Sequence, residues 1–559
     1  MRALLLVAVT LVPVVAAGKA VPEKVREKAA IARLSERVLL ADIRFLSDDL
    51  LEGRAPASSG DDLAMRYVTS RFEGLGLRPM GDMQSGGERS WIQRVPLVGL
   101  RTRVMEAPVL RGKGGTLRLD AGQDVVVAPG GQGTRAKLDG ASLVFVGYGI
   151  VAPEEKWDDY AGIDVRGKVV VLLNNDPASD PKRFGGVTRL YYGRWDYKYA
   201  EAARHGAAGV IIVHTTPSAG YPWQVVQSSW SGEAFELPAG DEPRLVTRMW
   251  VTEQRARDIL VLGGVTEDPA ALYARAELPG FRAIPLDAKL SLELAVDVRR
   301  VQTGNVLAML PGSDAALASE VIVVTAHHDH LGKKGQGPGD TIYNGALDNA
   351  SGVGAMLQLA DALAAAAPRR SVLFASVGAE EQGLLGSAYL CAHAPVAAAH
   401  MAANLNIDEI NIWGKTHDVT YIGMGKSSLD DVVTGAAKEV GRVVVPDQFP
   451  DRGSFYRSDQ LNFARIGVPA LHLVWGTEFA GHDRAWGRAR IDEFVKQRYH
   501  QPSDQLDASW RLDGALDDLA LEVVTLLRIA EAPRMPTWRV GDEFERVRAA
   551  ALRAEPPVP

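Results

Sequence analysis

Three apolar stretches in the second half of this chain carry no polar alternation, and each runs directly into histidine or carboxylate. Residues 321–325 lead to Ala326-His327-His328-Asp329-His330, residues 371–375 to Gly378-Ala379-Glu380-Glu381, and residues 401–407 to Asp408-Glu409. A strand that is apolar at every position has to be covered on both faces, which is the situation of a central strand in a largely parallel sheet. Between the strands, residues 351–366 and 383–392 have helical composition. Alternation of this kind predicts an α/β fold, an open and mostly parallel sheet with helices on both faces. Ligands in such sheets bind beyond the carboxyl ends of the strands, so the three polar strand ends are expected on one functional rim.

A fourth group belongs with them. Asn344-Gly345-Ala346-Leu347-Asp348-Asn349 precedes the first of these helices and places Asp348 where backbone N–H groups and the helix dipole favour an anion. Carboxylates crowded on one rim repel one another and rise in pKa unless a cation neutralises them. The pattern therefore predicts a metal site of imidazole and carboxylate ligands. Cys391 is the single cysteine, which excludes an intrachain disulfide and a thiolate zinc knuckle. Nitrogen and oxygen ligation suits zinc, with manganese or cobalt as substitutes, in a catalytic rather than a structural site. The glycines of residues 332–339 and Gly352-Val353-Gly354 lack the Lys-Ser/Thr of a phosphate loop. A net charge of −7 with no basic run longer than two residues excludes a nucleic-acid footprint.

The remainder of the 559 residues frames this site. Residues 1–20 read as a signal peptide: Met1-Arg2, an apolar run through Val15, then Ala16-Ala17-Gly18. No later run reaches the ~18 apolar residues of a membrane span, so the mature protein is expected to be exported, to periplasm or medium, without stable membrane insertion. Residues 21–125 read as helices followed by short alternating strands, the amino-terminal part of the main domain. Residues 126–285 form a distinct β-rich unit, with strand-like Ser142-Leu143-Val144-Phe145 and Gly209-Val210-Ile211-Ile212-Val213 around a helix from Lys198 to His205. Residues 286–535 hold the metal-site sheet, and residues 536–559 read as a loosely held tail.

At the level of motifs the chain resembles the co-catalytic two-zinc aminopeptidases, relatives of glutamate carboxypeptidase and of the transferrin-receptor ectodomain. The matching stretches are AHHDHLG (326–332), YNGALDNASG (343–352), GAEEQGLLGS (378–387), NLNID (404–408), RSDQLNFARIGVPAL (457–471) and YHQPSDQLD (499–507), together with LLEGRAPASSGDDLAMRYV (50–68). WDDYAGIDVRGKVVVLL and YAEAARHGAAGVIIVH, within 126–285, look like the protease-associated domain that many members carry as an insertion. The resemblance implies that Asp348 bridges two zinc ions, that His327 and Asp408 complete one shell and Glu381 and His500 the other, that Glu380 is the general base, and that Asp329 orients His327. No ligand motif falls within 126–285, so the chemistry is expected to rest with the sheet.

Two departures touch no ligand: Gln460 follows Ser458-Asp459 where the family usually has His, and Glu409 follows Asp408 where a hydrophobic residue is usual. His482 competes with His500 for the last ligand position. His328 and His330 flank the first motif as supporting residues, and Tyr456 is a candidate for steadying the oxyanion. The resemblance implies hydrolysis of peptide or protein substrates by zinc-activated water, most simply as an aminopeptidase. Carboxypeptidase action of the glutamate carboxypeptidase kind is the alternative, because the ligands are common to both. Glutaminyl-cyclase-like acyl transfer and a non-catalytic receptor-like ectodomain are lesser ones.

Overall fold

The computed structural model describes residues 22–334 and 339–554. The signal-peptide reading of residues 1–20 lies outside the described residues, as do the last five residues of the segment read as a tail.

The metal-site half is an open sheet ordered Val443–Pro446, Asp418–Ile422, Ala470–Trp475, Met401–Asn406, Val321–His327, Ser371–Val377 and the end of Ile284–Leu310. Its centre is parallel: Val321–His327 pairs in parallel with both Ser371–Val377 and Met401–Asn406, and Met401–Asn406 in parallel with Ala470–Trp475. Every residue of the first three of these strands is buried, as expected of mostly apolar strands without polar alternation. Helix Gly352–Ala366 is buried almost all round because it lies between the sheet and an outer layer, Glu23–Ile31, Glu36–Leu46, Ser59–Gly74 and Asp513–Glu531, which shares one core with it. Serines start two of these helices: Ser35 accepts from the Val38 amide, and Ser58 from the Asp61 amide at 3.2 Å.

The β-rich unit is joined to this sheet by two long antiparallel strands, Ile92–Gly112 and Ile284–Leu310, which stay paired from Ile92 opposite Val306 to Gly112 opposite Ala288. The ribbon leaves the metal-site sheet, where Val306–Leu310 pairs with 372–376, and enters the second unit, where residues 284–295 pair with Arg135–Phe145. There the order continues in parallel through Val169–Leu173, Gly209–His214 and Thr247–Thr252, and Val125–Pro129 closes it as an antiparallel neighbour of Thr247–Thr252. The boundaries expected at 125/126 and 285/286 both fall inside strands, the first in Val125–Pro129 at the edge of the second unit and the second in the ribbon strand Ile284–Leu310.

The segment after 535 is also tighter than its composition suggests. Trp538 and Phe544 are buried against Phe455, Tyr456 and Leu461, and Arg548 of helix Glu545–Ala554 donates to Met401 O at 2.9 Å. Among the described residues, no helix is long and apolar enough to cross a membrane.

Candidate metal centre

Strand register assembles the centre. His327 ends its strand beside Val377, and Thr325 lies beside Asn406. The turn holding Glu380 and Glu381 and the strand end holding Asp408 thus flank His327 on its two sides. Asp348 sits in an irregular turn, joined to Asn349 by a cis peptide bond, four residues ahead of helix Gly352–Ala366 and not at its start as expected. The turn is fixed by side chains. Both Asp504 oxygens accept backbone amides, from Leu347 at 3.0 Å and Asp348 at 3.1 Å. The Asn349 carboxamide donates to Ile407 O and accepts from the Gly352 and Glu409 amides at 2.9 and 3.0 Å, which ties the turn to the strand that delivers Asp408. Gly345 opens the turn at φ +55°, and a Cβ there would stand 2.5 Å from the His330 ring, so only glycine fits.

The five sequence-predicted ligands meet around Asp348. His327 Nε2 lies 3.4 Å from Asp348 Oδ1 and 3.1 Å from Asp408 Oδ1. On the other side His500 Nε2 lies 3.3 Å from Asp348 Oδ2 and 3.0 Å from Glu381 Oε2. His330 joins this second group, with Nδ1 2.7 Å from Glu381 Oε1, although the motif marks it only as a flanking residue. Both its ring nitrogens lie buried without a properly directed hydrogen-bond partner. Two ligand-sized groups result, His327/Asp348/Asp408 and His330/Asp348/Glu381, with the donor atoms of each within 4.8 Å of one another. A buried, unpartnered imidazole facing carboxylates, in a donor set free of thiolate, fits zinc.

Electrostatics separate the two neighbouring glutamates. Burial pushes the Glu380 carboxyl well above its usual range. Burial acts the same way on Glu381, but His500 and His330 outweigh it and hold that carboxyl at about 2. Asp329 does not orient His327 through its carboxylate: His327 Nδ1 faces the Asp329 backbone carbonyl at 3.2 Å, with the carboxylate 3.8 Å away. The Asp329 oxygens instead accept the amides of Glu380 at 2.9 Å and Glu381 at 3.3 Å, fixing the turn that carries both.

The other candidates resolve by contact. His482 stacks on Trp486 and stands outside the cluster. The Tyr456 hydroxyl donates to Glu543 and is not free for an oxyanion. His328 turns away to Ser376 and Asp61. Gln460 Oε1 accepts from Asn406, whose strand leads to Asp408, and so supports the site from behind.

Three supporting residues are missing from the sequence reading. Besides Asp504, the fully buried Arg54 donates to the carbonyls of Leu46, His328, Asn344 and Gly345, and so ties together the loops carrying His330 and Asp348. Ser229 Oγ, from the β-rich unit, lies 3.1 Å from His500 Nδ1. Arg54 stands in a motif that could have flagged it, whereas Ser229 carries no local signal.

Two cavities open onto the centre, one of about 800 Å³ facing the β-rich unit and one of about 200 Å³ lined mostly by the main domain. Glu380, Glu381 and His500 line both, as do Tyr221, Arg457 and Tyr499. The smaller cavity is walled by Ile422, Phe449, Val474 and Trp475 and also contains Glu409.

Residues 305–524 match the model of peptidase family M28. The chain is 26% identical to aminopeptidase YwaD of Bacillus subtilis over 198 residues, 34% of this chain and 40% of that protein. It is 28% identical to leupeptin-inactivating enzyme 1 of Streptomyces exfoliatus over 243 residues, 42% and 48% of the two chains, and 38% identical to an aminopeptidase of Pseudomonas aeruginosa over 124 residues, 22% and 21%. The chain thus spans less than half the length of these curated relatives. Its fold is similar to that of the aminopeptidase from Aneurinibacillus sp. strain AM-1, with a TM-score of 0.54 and 20% identity over 91% of this chain and 97% of that one.

Proposed function

From the match of residues 305–524 to peptidase family M28, we propose that the chain is a zinc metallopeptidase of that family that releases amino-terminal residues from peptides. The observation that carries this reading is Asp348, shared between two His/carboxylate groups, with Glu380 beside them on the wall of both cavities and in neither group. His327 and Asp408 would hold one zinc ion, Glu381 and His500 a second, and Asp348 both. Zinc, when bound, lowers the pKa of water and polarises a carbonyl oxygen. Glu380 then has the work of a general base: it takes the proton of the attacking water and delivers it to the leaving amine.

An aminopeptidase must also hold the substrate ammonium. Glu409 reaches the smaller cavity, and among the described residues no side chain pairs with its carboxylate. We assign it that role, with the apolar walls taking the first side chain. A carboxypeptidase is the second reading, favoured by Arg457. Its guanidinium lines both cavities, donates to Ala219 O at 2.9 Å, lies over the Tyr221 ring, and has no carboxylate within 4 Å among the described residues. We place the activity outside the cytoplasm on the leader-like residues 1–20.

The test compares peptide amides bearing a free amino group with amino-acetylated peptides ending in a free carboxylate, on protein of measured metal content. Turnover of the first alone is expected. Turnover of the second alone would replace the aminopeptidase reading with the carboxypeptidase one, and turnover of neither by protein carrying zinc would remove both.

A further inference from the structure

The β-rich unit supplies none of the five predicted ligands, yet it touches one of them. Ser229 ends helix Trp223–Ser229, and its Oγ lies 3.1 Å from His500 Nδ1. The opposite nitrogen, Nε2, faces Glu381 and Asp348. An imidazole that ligates through Nε2 must be neutral with its proton on Nδ1, and the partner of that N–H fixes both tautomer and ring orientation. We propose that Ser229 is a positioning residue for His500: its Oγ accepts a hydrogen bond from the Nδ1–H, and the seating of the β-rich unit on the main sheet thereby sets the affinity of one metal position. The proposal rests on the reading of His500 as a ligand.

The local backbone makes such outside support necessary. His500 lies three residues beyond helix Arg484–Gln497 and has φ +56°, a conformation that L residues hold only when their surroundings impose it. Stacking on Tyr499, with ring centroids 4.0 Å apart, limits tilt of the imidazole but does not choose its tautomer. Ser229 does, and it is itself anchored. Lys334 of the main domain donates to Ser228 O, Arg457 to Ala219 O at 2.9 Å, and Arg194 of the β-rich unit to Tyr456 O. These contacts pin helix Trp223–Ser229 and its neighbours onto the rim, so a displacement of the unit reaches His500 through Ser229.

The test uses the full chain carrying Ser229→Thr or Ser229→Val, which have the same shape and differ in the hydroxyl, with His500→Ala as reference. Zinc affinity is measured by competition with a chromophoric chelator, and the geometry of the site by visible absorption of the cobalt form. Ser229→Thr should bind both metal ions as the parent does. Ser229→Val should lose about 10- to 100-fold in affinity at one position, the range found when the partner of a metal-bound imidazole is removed, with an altered cobalt spectrum. Equal affinities and spectra for the Thr and Val variants would overturn the proposal, whether both matched the parent or both were weakened. If His500→Ala itself keeps two tight ions, the ligand assignment fails instead, which separates the two failures.

Discussion

Glu380 and Glu381 are adjacent in sequence and nearly equivalent in local composition, but the geometry gives them different fates on substitution to glutamine. Glu380 belongs to neither His/carboxylate group, and its backbone amide is fixed on Asp329 Oδ1 at 2.9 Å. Glu380→Gln keeps that anchor and the side-chain volume while removing the proton acceptor. Both metal ions should remain bound, and kcat should fall by ~10²- to 10⁴-fold, the contribution of a general base. At 1.36 kcal/mol per decade this adds about 2.7–5.4 kcal/mol to the barrier. Glu381 uses both oxygens, one 2.7 Å from His330 Nδ1 and the other 3.0 Å from His500 Nε2. Glu381→Gln replaces one of these oxygens with an amide and removes the negative charge, so one metal ion should be lost on gel filtration. The assay is metal content by elemental analysis, beside kcat and KM on an unblocked peptide amide. Loss of metal from Glu380→Gln, with Glu381→Gln keeping both ions and only slowing, would reverse the roles. Full activity in both variants would refute the site.

Arg54→Met should leave the carbonyls of Leu46, His328 and Asn344 without their buried donor, while Gly345 O keeps the Ala350 amide. At about 1–3 kcal/mol for each unsatisfied group, the loss should reach about 3 kcal/mol or more in denaturant unfolding and should weaken zinc retention; a change under about 1 kcal/mol would mean that water replaces the guanidinium. Glu522 is buried in helix Asp513–Glu531 with Oε2 unpartnered, and burial pushes its carboxyl well above the usual range. A raised folded-state pKa contributes stability that is present below the unfolded value and lost as pH rises through the folded one. The melting temperature of Glu522→Gln should therefore gain on the parent between pH 5 and pH 8, and parallel curves would refute the shift. The exported protein should begin between residues 17 and 21 by terminal sequencing, and an intact Met1 would refute the leader.

The sequence disclosed the rim and concealed what holds it in place, and the division has a physical reason. Strands buried on both faces advertise themselves by continuous apolar sequence, so the ends that deliver His327, Glu381 and Asp408 are readable locally. Beyond the strand end the period-two alternation lapses. His328 turns back to Asp61 and Ser376 while His330 joins His327 at the site, a split that alternation from 327 would not give. Contacts made at long range have no local signature at all: Ser229 meets His500 across 271 residues, and Arg54 meets Gly345 across 291. The packing of the tail is hidden for the same reason, since Trp538 and Phe544 are buried only because residues 455–461 lie beneath them.

The fixed shape of the centre follows from this division of labour. Asp348, Glu381 and Asp408 crowd anionic oxygens around three imidazoles, and a cluster of that kind is stable only if its backbone cannot relax and spread the charges apart. Asp504 clamps the turn of Asp348, Asp329 the turn of Glu380 and Glu381, and Asn349 joins the first turn to the strand end of Asp408. All of these clamps lie in loops of the main domain. His500 is the exception, because its orienting contact comes from Ser229 in the other unit, at the far end of a shared ribbon. The proposed ligand set thus lies in sequence within residues 327–500, but on this proposal its geometry is complete only when the two units are seated together.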